Sequence, residues 1–261
     1  MSTESTPSSG PPPDFQALVV PCVDLQPGAP LRWLRKGWQD WRRAPGLSLL
    51  FGLLIAAVSI LVSAVAWWLG RFALLAALLS GFVFIAPLLA VGLYCVSRQL
   101  EAGQTPRLAD SFSLARRLLG QAGVFALAQF VILLLWSRAG MMVSALVPLR
   151  PGDLQALLEF LAVGSAIGSL FAALTFAVSV VSLPMIADRE VDMITACLSS
   201  LHAVMRNKWT MLLWAVLIAG LTAIGFATAF LGLIVLMPWL AYASWHAYRE
   251  TLIVDDLPRL G

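Results

Sequence analysis

Charge is what this sequence most lacks. Only 12% of its 261 residues are Asp, Glu, Lys or Arg, against 60% hydrophobic residues, where a water-soluble domain carries about a quarter charged residues. So few charges cannot cover a globular surface in water, and a mean hydropathy of +0.86 makes a polytopic membrane protein the natural reading. Cysteine is scarce too: Cys22, Cys95 and Cys197 are an odd number with no close pair, which argues against a disulfide framework. No C-x-x-C or Cys/His cluster points to zinc or an iron–sulfur centre, and histidine occurs only at His202 and His246. Gly-rich phosphate loops, G-x-S-x-G elbows, H-E-x-x-H and carboxylate pairs are missing. Neither an enzyme nor a cofactor is expected.

What the chain does have is long apolar runs, at 46–70, 72–97, 118–137, 160–187 and 209–248. About 20 apolar residues cross the roughly 30 Å of hydrocarbon in a bilayer. The last run, as one helix, would be about 60 Å long, so it reads as a hairpin turning near Gly225–Gly232. The expectation is an all-α fold with six transmembrane helices, 47–69, 73–97, 119–138, 160–187, 209–229 and 231–248. Residues 1–29 read as a disordered tail that opens on the Ser-, Thr- and Pro-rich MSTESTPSSGPPP. With no basic n-region there, the spans themselves are expected to drive insertion. Residues 251–261 read as a second, short tail.

Lys and Arg set the expected orientation. Fourteen fall before the first span, between spans two and three, between four and five, or after the sixth; only Arg71, Arg138 and Arg150 fall on the other side. Both termini are therefore expected in the cytoplasm. Trp67, Trp68 and Trp136 sit at the expected outer interface, Trp209 and Trp245 at the inner one.

Three segments on the basic side share one pattern. Leu31, Leu34, Trp38 and Trp41 form a helical stripe with basic residues between them; Leu108, Phe112, Ala115 and Leu119 form a second; Val191, Ile194, Leu198, Leu201 and Met205 a third. Each reads as an interfacial amphipathic helix leading into a span. Aligning them also aligns Arg43, Arg117 and Arg206. Pro87, Pro184 and Pro238 then fall in the second span of each pair, each followed by x-[Leu/Ile]-Ala. The chain reads as three hairpin modules, each with a cytoplasmic amphipathic helix in front. The prolines are ordinary structural kinks or, in a functional reading, hinges or a pore constriction.

Small residues mark packing faces: Gly164, Gly168 and Ala172 on the fourth span, and Ala215, Ala219, Ala223 and Ala227 on the fifth. No ionisable group falls at the centre of a span. Gln129, deep in the third, reads as an interhelical hydrogen-bond partner or as lining for a pathway. His202 reads as solvated beside Thr195, Ser199 and Arg206. His246, with Trp245, Tyr248 and Arg249, reads as an interfacial anchor, the alternative being a haem or metal ligand. Trp38 and Trp41 are interfacial on the same reading. The basic face of residues 32–43 fits anionic lipid headgroups better than nucleic acid.

The stretches WLRKGWQDW (33–41), PLLAVGLYCVSRQLEAG (87–103), WSRAG (136–140) and GLIVLMPWLAYASWHAYR (232–249) resemble the bacterial integral-membrane family domain of unknown function 2189. The likeness spans most of 30–252. The family usually shows Gly-His where Ala241 and Tyr242 stand here. Some members are labelled cytochrome c oxidase subunit I, but a haem–copper core needs several histidine ligands within its spans. The resemblance implies an integral membrane protein and no particular activity. The functional expectation is a non-enzymatic scaffold or accessory subunit in contact with lipid, including anionic headgroups, and with a membrane-protein partner. The alternative is a transporter for a small neutral or lipid-like solute.

Overall fold

The computed structural model describes residues 19–69, 89–146 and 154–260. Among them there are helices and two isolated β-bridges, and no strands. In chain order the helices are α1 (Ala29–Arg43), α2 (Pro45–Leu69), α3 (described over 89–101), α4 (Leu108–Arg117), α5 (Leu119–Leu146), α6 (Leu154–Ser179), α7 (Ser182–Asp188), α8 (Met193–Arg206), α9 (Lys208–Ala227) and α10 (Leu233–Thr251). Among the described residues four segments are long and apolar enough to cross a membrane: Pro45–Val65, Leu119–Leu146, Leu154–Asp188 and Lys208–Ala227. The expected second span lies largely outside the described residues. The expected sixth, α10, carries Ser244, His246, Arg249 and Glu250 in its second half and is not among the four.

Three short helices each hand over to a long one through a single residue. Ala44, Leu118 and Asn207 leave helical geometry immediately after Arg43, Arg117 and Arg206. These are the three arginines that align in sequence, so the shared pattern marks a real bend. Pro45 opens α2 at its first position, where a missing N–H costs nothing. Asp192 caps α8, its carboxylate accepting from the N–H groups of Ile194 and Thr195 at 2.9 Å each.

The core forms where α10 meets α1 and α2. Glycine sets how close the helices come. A Cβ on Gly37 would lie 2.6 Å from the Ala243 nitrogen, and one on Gly52 would collide with the Ile234 carbonyl oxygen. That carbonyl is the one Pro238, four residues on, cannot bond. The bare backbone of α2 at Gly52 thus sits against the carbonyl that the proline frees. At Pro184 the helix breaks outright: α6 stops at Ser179, Val180 and Val181 turn, and α7 restarts. Pro87 lies outside the described residues.

The inward faces of the short helices differ from the expected ones. On α1, Trp33, Leu34, Gly37 and Asp40 are buried, while Leu31 is exposed and Trp38 partly so. On α4, Ser111 and Leu114 turn inward, and Leu108, Phe112 and Leu119 are exposed. On α8, Thr195 and Ser199 are buried rather than solvated; Ile194 and Met205 are exposed, as is His202. On α4 and α8 the small and hydroxyl-bearing Ser111, Thr195, Ser199 and Ala203 make tight contact with the protein, while Phe112, Ile194 and Met205 face outward.

Part of each expected tail is also fixed. Cys22 and Leu252 form an antiparallel bridge, flanked by Val23 N–H to Thr251 O and Ile253 N–H to Pro21 O, both 2.9 Å. Val20 N–H donates to Ser199 Oγ at 2.9 Å, and Leu25 N–H to Asn207 Oδ1 at 2.8 Å. Residues 19–28 are therefore tied down rather than disordered. At the other end, Arg189 bridges Arg259, and Leu260 N–H reaches Asp188 O at 2.9 Å.

Candidate functional site

The buried charges of the described residues gather where α1, α3, α7, α10 and the C-terminal segment meet. Asp40 is the only acid among the basic residues of α1, and it lies on the face that packs against α10. Its Oδ2 accepts from Ser97 Oγ at 2.9 Å and meets His246 Nε2 at 2.8 Å. Serine, histidine and aspartate together suggest a nucleophile relay, but a relay needs the hydroxyl on the imidazole. Here both end on the same carboxylate oxygen, which makes a structural clasp.

Asp188, at the end of α7, is the second hub. Its Oδ2 accepts from Tyr248 at 2.8 Å and from Arg189 Nε at 3.1 Å, with an Arg249 nitrogen at 3.7 Å. Glu101, at the end of α3, accepts from Trp245 Nε1 at 2.9 Å and Arg249 Nε at 3.2 Å. Arg98 donates through Nη1 to the carbonyls of Ala187 and Leu260, at 3.1 and 3.3 Å. Beside this network opens a cavity of about 630 Å³ that α4 and the C-terminal segment help to wall.

Outside the helical spans, Asp24, Asp192 and Cys22 show directed shifts. The Arg206 guanidinium, bonded to Asp24 through two nitrogens at 2.6 and 3.0 Å, holds that carboxyl below the usual range. Hydrogen bonds from Thr195, side chain first and then backbone, do the same for Asp192. Burial pushes the Cys22 thiol up.

The residues singled out in sequence fall as follows. Pro184 lies in α7 beside the Asp188 hub, and Pro238 lies in α10 facing α2. His246 and Arg249 are partners of buried carboxylates rather than free interfacial anchors, because α1 lays Asp40 and α7 lays Asp188 against α10. Trp38 stacks on Trp41 at 5.1 Å and meets Trp239 edge-on at 5.3 Å. Gly164, Gly168 and Ala172 do not mediate a close backbone approach. Open space surrounds Gly164, and the nearest atom to a Cβ on Gly168 is Trp136 Nε1 at 3.7 Å. They line a groove of about 930 Å³ between α5 and α6, with Gln129 opposite. Asp40, Arg98, Glu101 and Asp188 escaped the sequence reading, although a lone acid in a basic helix was a visible signal for Asp40. Among the described residues no group of three His, Cys, Asp or Glu could hold a metal ion.

No curated protein and no solved structure matches this chain. A family model matches residues 74–188, a stretch that holds two of the four motifs noted above, at 87–103 and 136–140. Over that stretch the chain resembles the family described as Predicted integral membrane protein (DUF2189).

Proposed function

We propose that this membrane protein is a non-enzymatic scaffold or accessory subunit of a bacterial inner membrane, with six spans and both termini in the cytoplasm. The observation that carries the reading is the commitment of the buried charges. Asp40 and Asp188 each have structural partners, and Glu101 joins them through Arg249. A general acid or base needs a free position for substrate, and these groups have theirs filled.

Contacts across the chain support the span count. Segments hydrogen-bonded to one another lie on one side of the membrane. Residues 20–25, 98–101, 187–189, 199–207 and 251–260 are joined in this way. On this reading the chain crosses an even number of times between 44 and 98, between 117 and 188, and between 207 and 251. Among the described residues the middle interval holds two candidate spans, and each of the others holds one. Each of those needs a return, which we assign to the apolar run at 72–97 and to α10. The positive-inside asymmetry then puts the shared side in the cytoplasm.

A second reading has its own observation. A cavity of about 450 Å³ lies between α2, α3, α9 and α10 beside Pro238, with apolar walls and the hydroxyls of Ser59, Tyr94, Thr222 and Ser244. Such walls suit a neutral, lipid-like solute, as a transporter would require. Purification from native membranes in mild detergent separates the two. The scaffold reading predicts a membrane-protein partner at fixed stoichiometry. A partnerless protein that moves a neutral solute across proteoliposomes would overturn it in favour of transport.

A further inference from the structure

Four arginines from four different elements line the 630 Å³ cavity: Arg98 of α3, Arg117 of α4, Arg249 of α10 and Arg259 of the C-terminal segment. Three carboxylates share the lining, and each is already engaged. Asp188 is held by Arg189, which stands outside the cavity; Glu101 is held by Arg249 and Trp245; Asp110 accepts from Gln99 Nε2 at 2.6 Å. Among the described residues no carboxylate lies within ion-pair distance of Arg98 or Arg259. The cavity therefore keeps an excess of positive charge. Part of it is pre-positioned, because two backbone carbonyls fix the Arg98 guanidinium.

We propose that this cavity binds a phosphate group. Guanidinium forks match phosphate oxygens in bidentate geometry, and the volume lies in the range of small-ligand sites. Ser113 and Gln104 add polar atoms to the wall. The phosphate can come from a lipid headgroup or from a soluble phosphorylated molecule. Helix α4 brings both within reach. It lines the arginine cavity with Ser113, Leu114 and Arg117, and its other face, with Leu108 and Phe112, lines an apolar cavity of about 570 Å³.

The test uses the full-length protein in neutral detergent with two probes. One is pyrophosphate in solution; the other is phosphatidylglycerol, compared with phosphatidylcholine, in mixed micelles. Tryptophan fluorescence is read for the first, since Trp245 lines the cavity, and retained lipid by native mass spectrometry for the second. At least one probe should bind saturably. Arg259→Gln, at an exposed position with no side-chain ion pair among the described residues, should weaken binding about tenfold, the worth of one charged hydrogen bond. Arg138→Gln, exposed on α5 and outside the cavity, should leave binding unchanged. Binding of pyrophosphate identifies a soluble phosphate as ligand, and binding of phosphatidylglycerol alone identifies a headgroup. Saturable binding of neither probe, or equal weakening by Arg138→Gln and Arg259→Gln, would overturn the proposal.

Discussion

At the scale of single residues, a buried charge is stable only when paired, and removing one partner strands the other. Asp40 is almost fully buried between Ser97 and His246. Asp40→Ala takes the carboxylate from both and should cost about 1–3 kcal/mol, the range for leaving a buried polar group unsatisfied. Thermal unfolding in detergent measures it, and a loss near zero would show that the clasp carries no stability. Asp192 acts on a smaller scale. Asp192→Ala removes the α8 cap and should cost about 1 kcal/mol. The pH dependence has a definite sign. The folded carboxyl titrates below its unfolded value of about 3.9, so its contribution is complete above that pH and fades as pH falls through the folded pKa. The gap between wild type and Asp192→Ala should therefore close on acidification below about pH 4. A gap that persists there would mean the cap acts without its charge.

At the scale of elements, glycine placement decides which helices touch. Gly52→Ala drives a methyl into the Ile234 carbonyl, and overpacking of this kind costs about 1–3 kcal/mol or more. Gly164→Ala meets open space and should change stability by no more than about 0.5 kcal/mol. Equal effects in the two variants would remove the distinction. The contrast shows what was legible in sequence. Long apolar runs announced the spans, and the aligned Arg43, Arg117 and Arg206 announced the bends, because both are local patterns. Which face turns inward was not legible. In water the apolar stripe is the buried one, but in a bilayer lipid accepts it as readily as protein does. Phe112, Ile194 and Met205 thus face outward while Ser111, Ser199 and Ala203 face in. A small-x-x-x-small spacing likewise fits a close contact or an open groove, and Gly164 and Gly168 line the groove. Asp40 and His246 are 206 residues apart in sequence, a separation no periodicity can bridge.

At the scale of the whole molecule, segments from both ends of the chain close the same polar end. The bridge between Cys22 and Leu252 and the bonds of Val20 and Leu25 to α8 and Asn207 shield the Cys22 thiol, and burial raises its pKa. Because the thiolate is the reactive form, Cys22 should alkylate slowly in the folded protein and quickly once denatured; fast labelling under native conditions would show that the bridge opens freely. The same contacts carry the central claim, an even number of crossings between each pair of joined segments. Alkaline phosphatase fusions in a bacterial host test it most directly, since that enzyme is active only outside the cytoplasm. Fusions after Arg71, Arg150 and Ala229 should be active, and fusions after Gly103, Asn207 and Gly261 inactive. Activity after Gly103 or Gly261 would place those residues across the membrane from the rest of the polar end and contradict the account.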